Sequence, residues 1–574
     1  MISNLPSLRT TYLGCALFML FTVGGLTSYA QDFSNVKGQK PFSMSGSMEG
    51  RGTMYRASGI ADRRQPFSYL LNGSAAVSIY GLNIPFSISY SDVDRSFSQP
   101  FNQFGMSPTY KWITLHGGYR NIDYSPYTLG GHTMLGAGFE LRPGKFRIGL
   151  MHGRLNRATA VDSTTQSLVP ISFSRIGTAA KVGFGTDKSF IEFSALRAKD
   201  DSASLDRRMI RSEDFLSPAS NYVMGYNFKL SFLKNFILES KGGASLYTRD
   251  INSILNFKSF NNQIIQKAQN ITGFNGTTEV YGALDAALSY RAKNFGLKTE
   301  YKRVEPDYKT MGAYFFNSDL ESWTFGPSFS AFKNKLRFTG SAGIWRDNLL
   351  GQKRSTNKRF IGSANASVEF NKALALDVVF SNFSNDQTPN ILRFPDSLRV
   401  VQTTYNLTAT PRYMIVSPDL VQVFSLSGSM NKLNDYNQVI TTNQTVNRSI
   451  DTKQYFFSYV VSLPKKGTSL YLNLTRTDLR SELINNTYQG VTLGGNSNLF
   501  KNKLQVGLNS SFIHSKGEQG NSMILNGSGN VAYKVTKKQV LKTVLFLTAN
   551  KPPTGGRQNG YIEVRNELSY LVNF

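Results

Sequence analysis

Four histidines, His116, His132, His152 and His514, are the residues of this chain best suited to acid–base or metal chemistry. A Ser/His/Asp site or a metal centre needs histidine beside a carboxylate or a second ligand. A tight turn at Pro143-Gly144-Lys145 would pair residues 132–143 with 145–157. Placing Leu141 opposite Arg147 sets His132 near Leu155 or Asn156, away from His152, so no two-histidine metal pair is expected. The acid pairs Asp200-Asp201 and Glu213-Asp214 share a stretch with Arg207, Arg208 and Arg211, which reads as a solvated, self-paired charge cluster. No GxSxG, HExxH, P-loop or dinucleotide fingerprint stands in a fitting context. The single cysteine, Cys15, falls in the N-terminal apolar run. The mature chain would then have no disulfide, thiol nucleophile or thiolate metal site. These residues point away from an enzyme and call for no metal and no cofactor.

The elements that would position them are strands. From Ile562 on, Ile562, Val564, Leu568, Tyr570, Val572 and Phe574 share one parity, with Asn566 the polar exception. Glu563, Arg565, Glu567, Ser569 and Asn573 share the other. A strand sends successive side chains to opposite faces, so this segment has one apolar and one charged face. The same unit recurs from about residue 41: runs of ten to fifteen residues, a tight turn at one end, a long polar loop at the other. Two of the turns are near copies, Phe332-Lys333-Asn334-Lys335-Leu336 and Phe500-Lys501-Asn502-Lys503-Leu504. Turns recur roughly every forty residues, which is two membrane-length strands plus a loop. Soluble sandwiches tolerate shorter strands, whereas a barrel wall needs about 9–11 residues to cross a bilayer.

Residues 1–30 read as a secretory signal. Arg9 is the basic n-region, Leu13 to Leu26 is apolar, and Ser28-Tyr29-Ala30 puts small residues before Gln31. Residues 31–574 then form one unit, since no Pro/Ser linker or charge block divides them. The formal charge is +27; without Arg9 the mature chain carries +26. The cations are scattered rather than clustered, which argues against nucleic acid as a partner. Anionic lipopolysaccharide at the outer-membrane lipid surface, or anionic solutes in a pore, fit better. A closing strand such as Tyr570, Val572 and Phe574 is the signal that barrel-assembly machinery reads in bacterial outer-membrane proteins, which that machinery would engage during biogenesis.

The fold expected is all-β: a transmembrane antiparallel β-barrel of about 24 strands, within a range of 22–26. About 25 segments can be counted, and single-chain bacterial barrels use even numbers. The conflict localises to residues 82–143, where both flanking turns look periplasmic. Ser96 to Tyr110 is therefore expected to return into the barrel rather than cross in its wall. Residues 96–132 are also the least barrel-like sequence. Pro100 and Pro108 cannot donate to a ladder, and Phe101 and Phe104 need an apolar partner. With Tyr127 they make a candidate constriction of the lumen.

The patches Gln99 to Pro108, Ser125 to His132 and Gly153 to Arg157, with Tyr110-Lys111-Trp112, resemble a set of large, poorly characterised outer-membrane barrels of Bacteroidetes-type bacteria. The resemblance is strongest over residues 80–200. It implies a barrel of that cell envelope and brings no catalytic residues. Nutrient-uptake barrels of that envelope carry a plug domain before the strands, and the fifty or so residues here are too few for one. Two functions remain. One is a porin-like channel or transport protein with a basic lumen in the bacterial outer membrane. The other is an occluded barrel that serves as a structural or assembly partner of envelope machinery.

Overall fold

A computed structural model describes residues 42–574, except 80–81, 92–102, 160–170, 206–215, 256–268, 270–271, 314–316, 390–399, 437–438, 442–443, 447–448, 483, 519 and 554–558. The N-terminal segment read as a signal lies outside the described residues. The chain is almost wholly antiparallel strand, and one sheet holds 27 strand segments. The strands used below are β1 (Phe42–Ser58), β2 (Phe67–Ile79), β3 (Leu82–Ser91), β4 (Gln103–Met106), β5 (Thr109–Tyr110), β6 (Ile113–Asn121), β7 (Thr133–Leu141) and β8 (Phe146–Asn156). They continue with β9 (Ser174–Gly185), β10 (Phe190–Asp201), β11 (Ser220–Phe232), β12 (Phe236–Thr248), β13 (Thr278–Arg291), β14 (Phe295–Val304), β15 (Leu320–Ala331) and β16 (Leu336–Arg346).

Each strand pairs with its sequence neighbour, and the sheet returns on itself. The final strand, Tyr561–Asn573, pairs with β1 from Ser58↔Ile562 to Ser47↔Asn573. Tyr570 stands opposite Gly50 and Val572 opposite Met48. Phe574 then exchanges two backbone hydrogen bonds with Gly46, at 3.0 and 3.1 Å. A closed ring leaves no unpaired edge, which is the condition for a sheet to stand in lipid. Parity decides which face meets the lipid. On β10 the residues Glu192, Ser194, Leu196, Ala198 and Asp200 are buried while Ile191, Phe193, Ala195, Arg197 and Lys199 are exposed. The exposed parity carries the large apolar side chains, with Phe193 54%, Val182 56% and Met224 74% accessible. It is the outer face.

The region where the strand count was ambiguous is resolved differently from expectation. β4 and β5 are the two halves of one wall strand, broken at Ser107-Pro108, and both bridge β3 to β6. Residues 103–110 therefore cross in the wall and do not return into the barrel. The sequence reading missed the tight turn at Lys111-Trp112, where Lys111 adopts φ 51. No Gly, Asn or Asp stands at this turn, so composition gave no cue. Four wall strands lie between residues 82 and 143. With β4 and β5 counted once, the 27 segments make 26 wall strands, at the top of the expected range and even, so that β1 starts and the final strand ends at the tight-turn rim. At ~4.8 Å between strands and a tilt of ~40°, such a ring is about 160 Å around. The near-copy turns also match in backbone: Phe332, Lys333 and Asn334 at φ 52, 58 and 68, and Phe500, Lys501 and Asn502 at 52, 54 and 65.

Candidate functional site: two loops folded onto the inner wall

The connection from β6 to β7 does not run outward. Ser125-Pro126-Tyr127-Thr128 forms a turn in which Thr128 N–H donates to the Ser125 carbonyl at 3.1 Å, and Tyr124 N–H to that of Leu129 at 2.8 Å. Proline at the second turn position presets φ for this bend. The turn places Tyr124, Tyr127 and Leu129 in contact with the inner wall, at 4%, 2% and 1% exposure. In a second connection, between β14 and β15, residues 305–313 fold in to meet it. Tyr308 Oη donates to the Tyr127 carbonyl at 2.7 Å, and Thr310 Oγ1 to that of Thr128 at 2.6 Å. Gly130 N–H donates to the Gly312 carbonyl at 3.0 Å. The Tyr127 and Tyr308 rings meet edge to face at 6.0 Å, a favourable aromatic geometry.

Both loops are fixed to the wall. Thr128 Oγ1 and Ser194 Oγ share a hydrogen bond of 2.9 Å. Met311 N–H donates to Asn221 Oδ1 at 2.9 Å, and Ser245 Oγ to the Lys309 carbonyl at 2.6 Å. Under these bonds lies an apolar cluster that includes Leu129, Met134, Met151, Leu196, Val223 and Met311. Gly312 lies against Thr128 so closely that a Cβ would press on the Thr128 carbonyl oxygen and come within 2.8 Å of Leu196 Cδ2. Burial pushes the phenols of Tyr124, Tyr127 and Tyr308 above their ordinary value and lowers that of His132, so all four are neutral at pH 7.

The second loop ends on an anchor. The Asp319 carboxylate accepts from Asn348 N–H at 3.0 Å and Leu349 N–H at 2.9 Å, and pairs with the Lys353 ammonium. Burial alone would raise its pKa, but Lys353 and the two amides outweigh burial and hold it below the usual carboxylate range. A depressed value means that the anchor is complete above the unfolded-state pKa, near 3.9, and is lost as pH falls through the folded one. Asp319→Asn is therefore expected to speed hydrogen exchange at the Asn348 and Leu349 amides at neutral pH. In the parent protein, acidification through the folded-state pKa should lower the protection of the same two amides once the intrinsic fall of exchange rate with pH is divided out. Exchange of these two amides that ignores both changes would refute the anchor.

The sequence-predicted site residues fall in different places. Tyr127 is in the first inward loop. Pro108 is at the break between β4 and β5, in the wall. Of Phe104 only the backbone is described; it stands opposite Ile88, on the parity of the outward, 45% exposed Met106. Pro100 and Phe101 lie outside the described residues. The partner loop with Tyr308 and Met311 was not foreseen. Asp200 is also corrected: it is a buried inner-wall residue held by Arg175 at 2.7 Å, not part of a solvated cluster. His152 faces outward against Thr178 Oγ1 at 2.7 Å, while His132 is buried beside the inner wall, so the two are apart. Among the described residues no cluster of His, Cys, Asp and Glu is arranged to hold a metal ion.

Nor is the inner wall basic. Its cations alternate with acids: Arg147 with Glu192 at 3.0 Å, Lys181 with Glu140 at 3.5 Å, Arg51 with Glu49 at 2.9 Å. Arg565 and Glu567 on the closing strand pair at 3.2 Å. The chain's positive excess sits instead at the tight-turn rim, in lysines such as Lys234, Lys333, Lys335, Lys501 and Lys503, and on the outer face near the long loops, in residues such as Arg154, Lys432 and Lys453.

A closed antiparallel ring, apolar outside and polar inside, defines a transmembrane β-barrel of the bacterial outer-membrane class. No protein-family model and no curated protein matches the chain. Among solved structures it is similar to the siderophore receptor PirA from Pseudomonas aeruginosa, with 10% identity, TM-score 0.38, 93% of this chain and 81% of that one. It is also similar to the FrpB iron transporter from Neisseria meningitidis (10%, TM-score 0.35, 94% and 83%). Pseudomonas aeruginosa OccK2 (OpdF), in complex with glucuronate, matches at 10%, TM-score 0.29, 93% and 98%. At these values the assignment rests on the ladder of this chain itself.

Proposed function

We propose that the protein is a porin-like channel or transport barrel of the outer membrane, passing small polar solutes through a lumen narrowed on one side by the loops 122–132 and 305–313. The observation that carries this reading is the inner face itself. The two loops cover the wall around β7 to β15, where nearly all the deeply buried side chains lie. Elsewhere inward-parity residues stay open, with Val379 45% and Phe383 42% exposed. That openness favours a passage over the occluded-barrel alternative. Export through the segment 1–30 and a place in a Bacteroidetes-type envelope belong to the same reading, the latter supported by the sequence resemblance alone.

Because inner cations and acids are interleaved, the pore should discriminate weakly by charge. In planar bilayers under a KCl gradient the purified protein is expected to conduct with a reversal potential close to zero. Absence of conductance would sink the channel reading. A strong anion preference would leave the channel standing and overturn the mixed-sign wall in favour of a basic lumen.

A further inference from the structure

The outer face of β8 to β11 carries a group of cations that the channel reading does not use. Register brings them together. Arg154 stands opposite Ile176, and Ile176 opposite Lys199. Thr178 stands opposite Arg197, and Arg197 opposite Tyr222. Side chains directly across a ladder lie about 5 Å apart at Cβ, and diagonal neighbours about 7–8 Å. Arg154, Arg197 and Lys199 therefore form one patch, two residue rows deep and three strands wide.

The contrast with the inner face of the same strands is sharp. There Arg147, Arg175 and Lys181 each have a carboxylate within 3.5 Å. None of the three outward cations makes an ion pair among the described residues. Arg197 is braced over the Tyr222 ring at 5.4 Å, which fixes a guanidinium without neutralising it. The nearest outward acid on these strands, Asp201, is one row further out and accepts from Ala203 N–H at 3.0 Å.

Directly below the patch the outer face turns apolar and stays so to the other rim: Leu150 and Met224, then Ile148, Val182 and Phe193, then Phe184. From Phe146 to Arg154 is eight residues, about 27 Å along a strand and near 21 Å in height at a ~40° tilt. That is close to the ~25 Å apolar band of such barrels. The cations thus stand at the upper edge of the band, on the long-loop side, where lipid head groups begin. The wall behind them is backed by the apolar cluster under the inward loops, so the patch is held on a packed support.

We propose that Arg154, Arg197 and Lys199 form a binding site for the phosphorylated head group of an outer-leaflet glycolipid, whose acyl chains lie along Val182, Phe193 and Met224. The proposal rests on the reading of the chain as an outer-membrane barrel, and it places a lipid contact at a defined point on that barrel. Phosphate oxygens accept from guanidinium in bidentate geometry and from ammonium as a point charge. Three cations at a head-group boundary, against the outward acid Asp201 a row further out, match a diphosphorylated sugar better than a zwitterionic head group.

The test uses the full chain, folded in detergent, and native mass spectrometry with bis-phosphorylated lipid A, its dephosphorylated form, phosphatidylcholine and inorganic phosphate as probes. The parent is expected to retain lipid A at least tenfold better than the other three. Arg154→Gln, Arg197→Gln and Lys199→Gln together should erase that preference. The same change at Lys432, Lys453 and Lys516, outward cations on other strands, should leave it intact. Equal retention by the first triple variant, or by dephosphorylated lipid A, would overturn the site. So would inorganic phosphate that displaces lipid A at equal concentration. Conductance of the first variant is read in parallel: its survival with lost lipid binding supports the site, and its absence in parent and variant alike strikes the channel reading instead.

Discussion

Replacing Tyr127 and Tyr308 together by alanine is expected to raise single-channel conductance at least twofold. The two rings are almost wholly buried and meet each other edge to face. Truncating a buried aromatic ring costs about 3–5 kcal/mol where the site cannot collapse. Each hydrogen bond between the loops contributes only about 0.5–1.5 kcal/mol net. The rings therefore dominate the docking of residues 122–132 and 305–313, and their loss should free both loops from the wall. Tyr308→Phe isolates the smaller effect, because it keeps the ring and removes the 2.7 Å bond to the Tyr127 carbonyl. Its conductance should stay near the parent value. The barrel must still form in the double variant, which its shifted mobility on gels before and after heating reports. A folded double variant with unchanged conductance would show that these loops do not narrow the path.

Much of the barrel was legible because its signals are local. Alternation along Ile562 to Phe574 needs no knowledge of any other strand, and the turns at Asn334 and Asn502 carry residues that accept positive φ. Lys111-Trp112 was missed for the same reason in reverse: its turn is set by pairing on both sides, not by its composition. The inward loops were half legible. Pro126 and the aromatics beside it marked the first loop as unusual. The second carries a proline and aromatics of its own, but nothing local says that Tyr308 meets Tyr127 across 181 residues of sequence. Pro306, Tyr308 and Met311, with the run Tyr314-Phe315-Phe316, were the available hint. The sign of the lumen was the least legible feature. A net charge counts residues without regard to parity, and here Arg197 and Lys199 face outward while Glu192 and Asp200 on the same strand face inward.

Closure of the ring depends on one small residue, and the second large effect follows from it. Gly46 is where β1, β2 and the end of the chain meet: it stands opposite Ala75 and exchanges backbone hydrogen bonds with Phe574 at 3.0 and 3.1 Å. A Cβ there would press on the Ser74 carbonyl oxygen, reach 2.8 Å from the Ala75 Cα, and touch the Phe574 ring at 3.0 Å. Two of these neighbours are backbone in a paired ladder and cannot turn aside as a flexible side chain would. Gly46→Val should therefore force β1 off β2 at the tight-turn rim, where the last strand also joins β1. An open seam in lipid leaves peptide groups unsatisfied, at several kcal/mol each. The expected result is loss of most heat-modifiable, folded protein from the membrane fraction. Gly50→Val is the matched control: it lies on the same strand, opposite Tyr570, and a Cβ there meets nothing within 4 Å. Folding of the Gly46 variant as complete as that of the Gly50 variant would mean that the seam tolerates the added methyl groups, and that closure is secured by the rest of the β1 ladder.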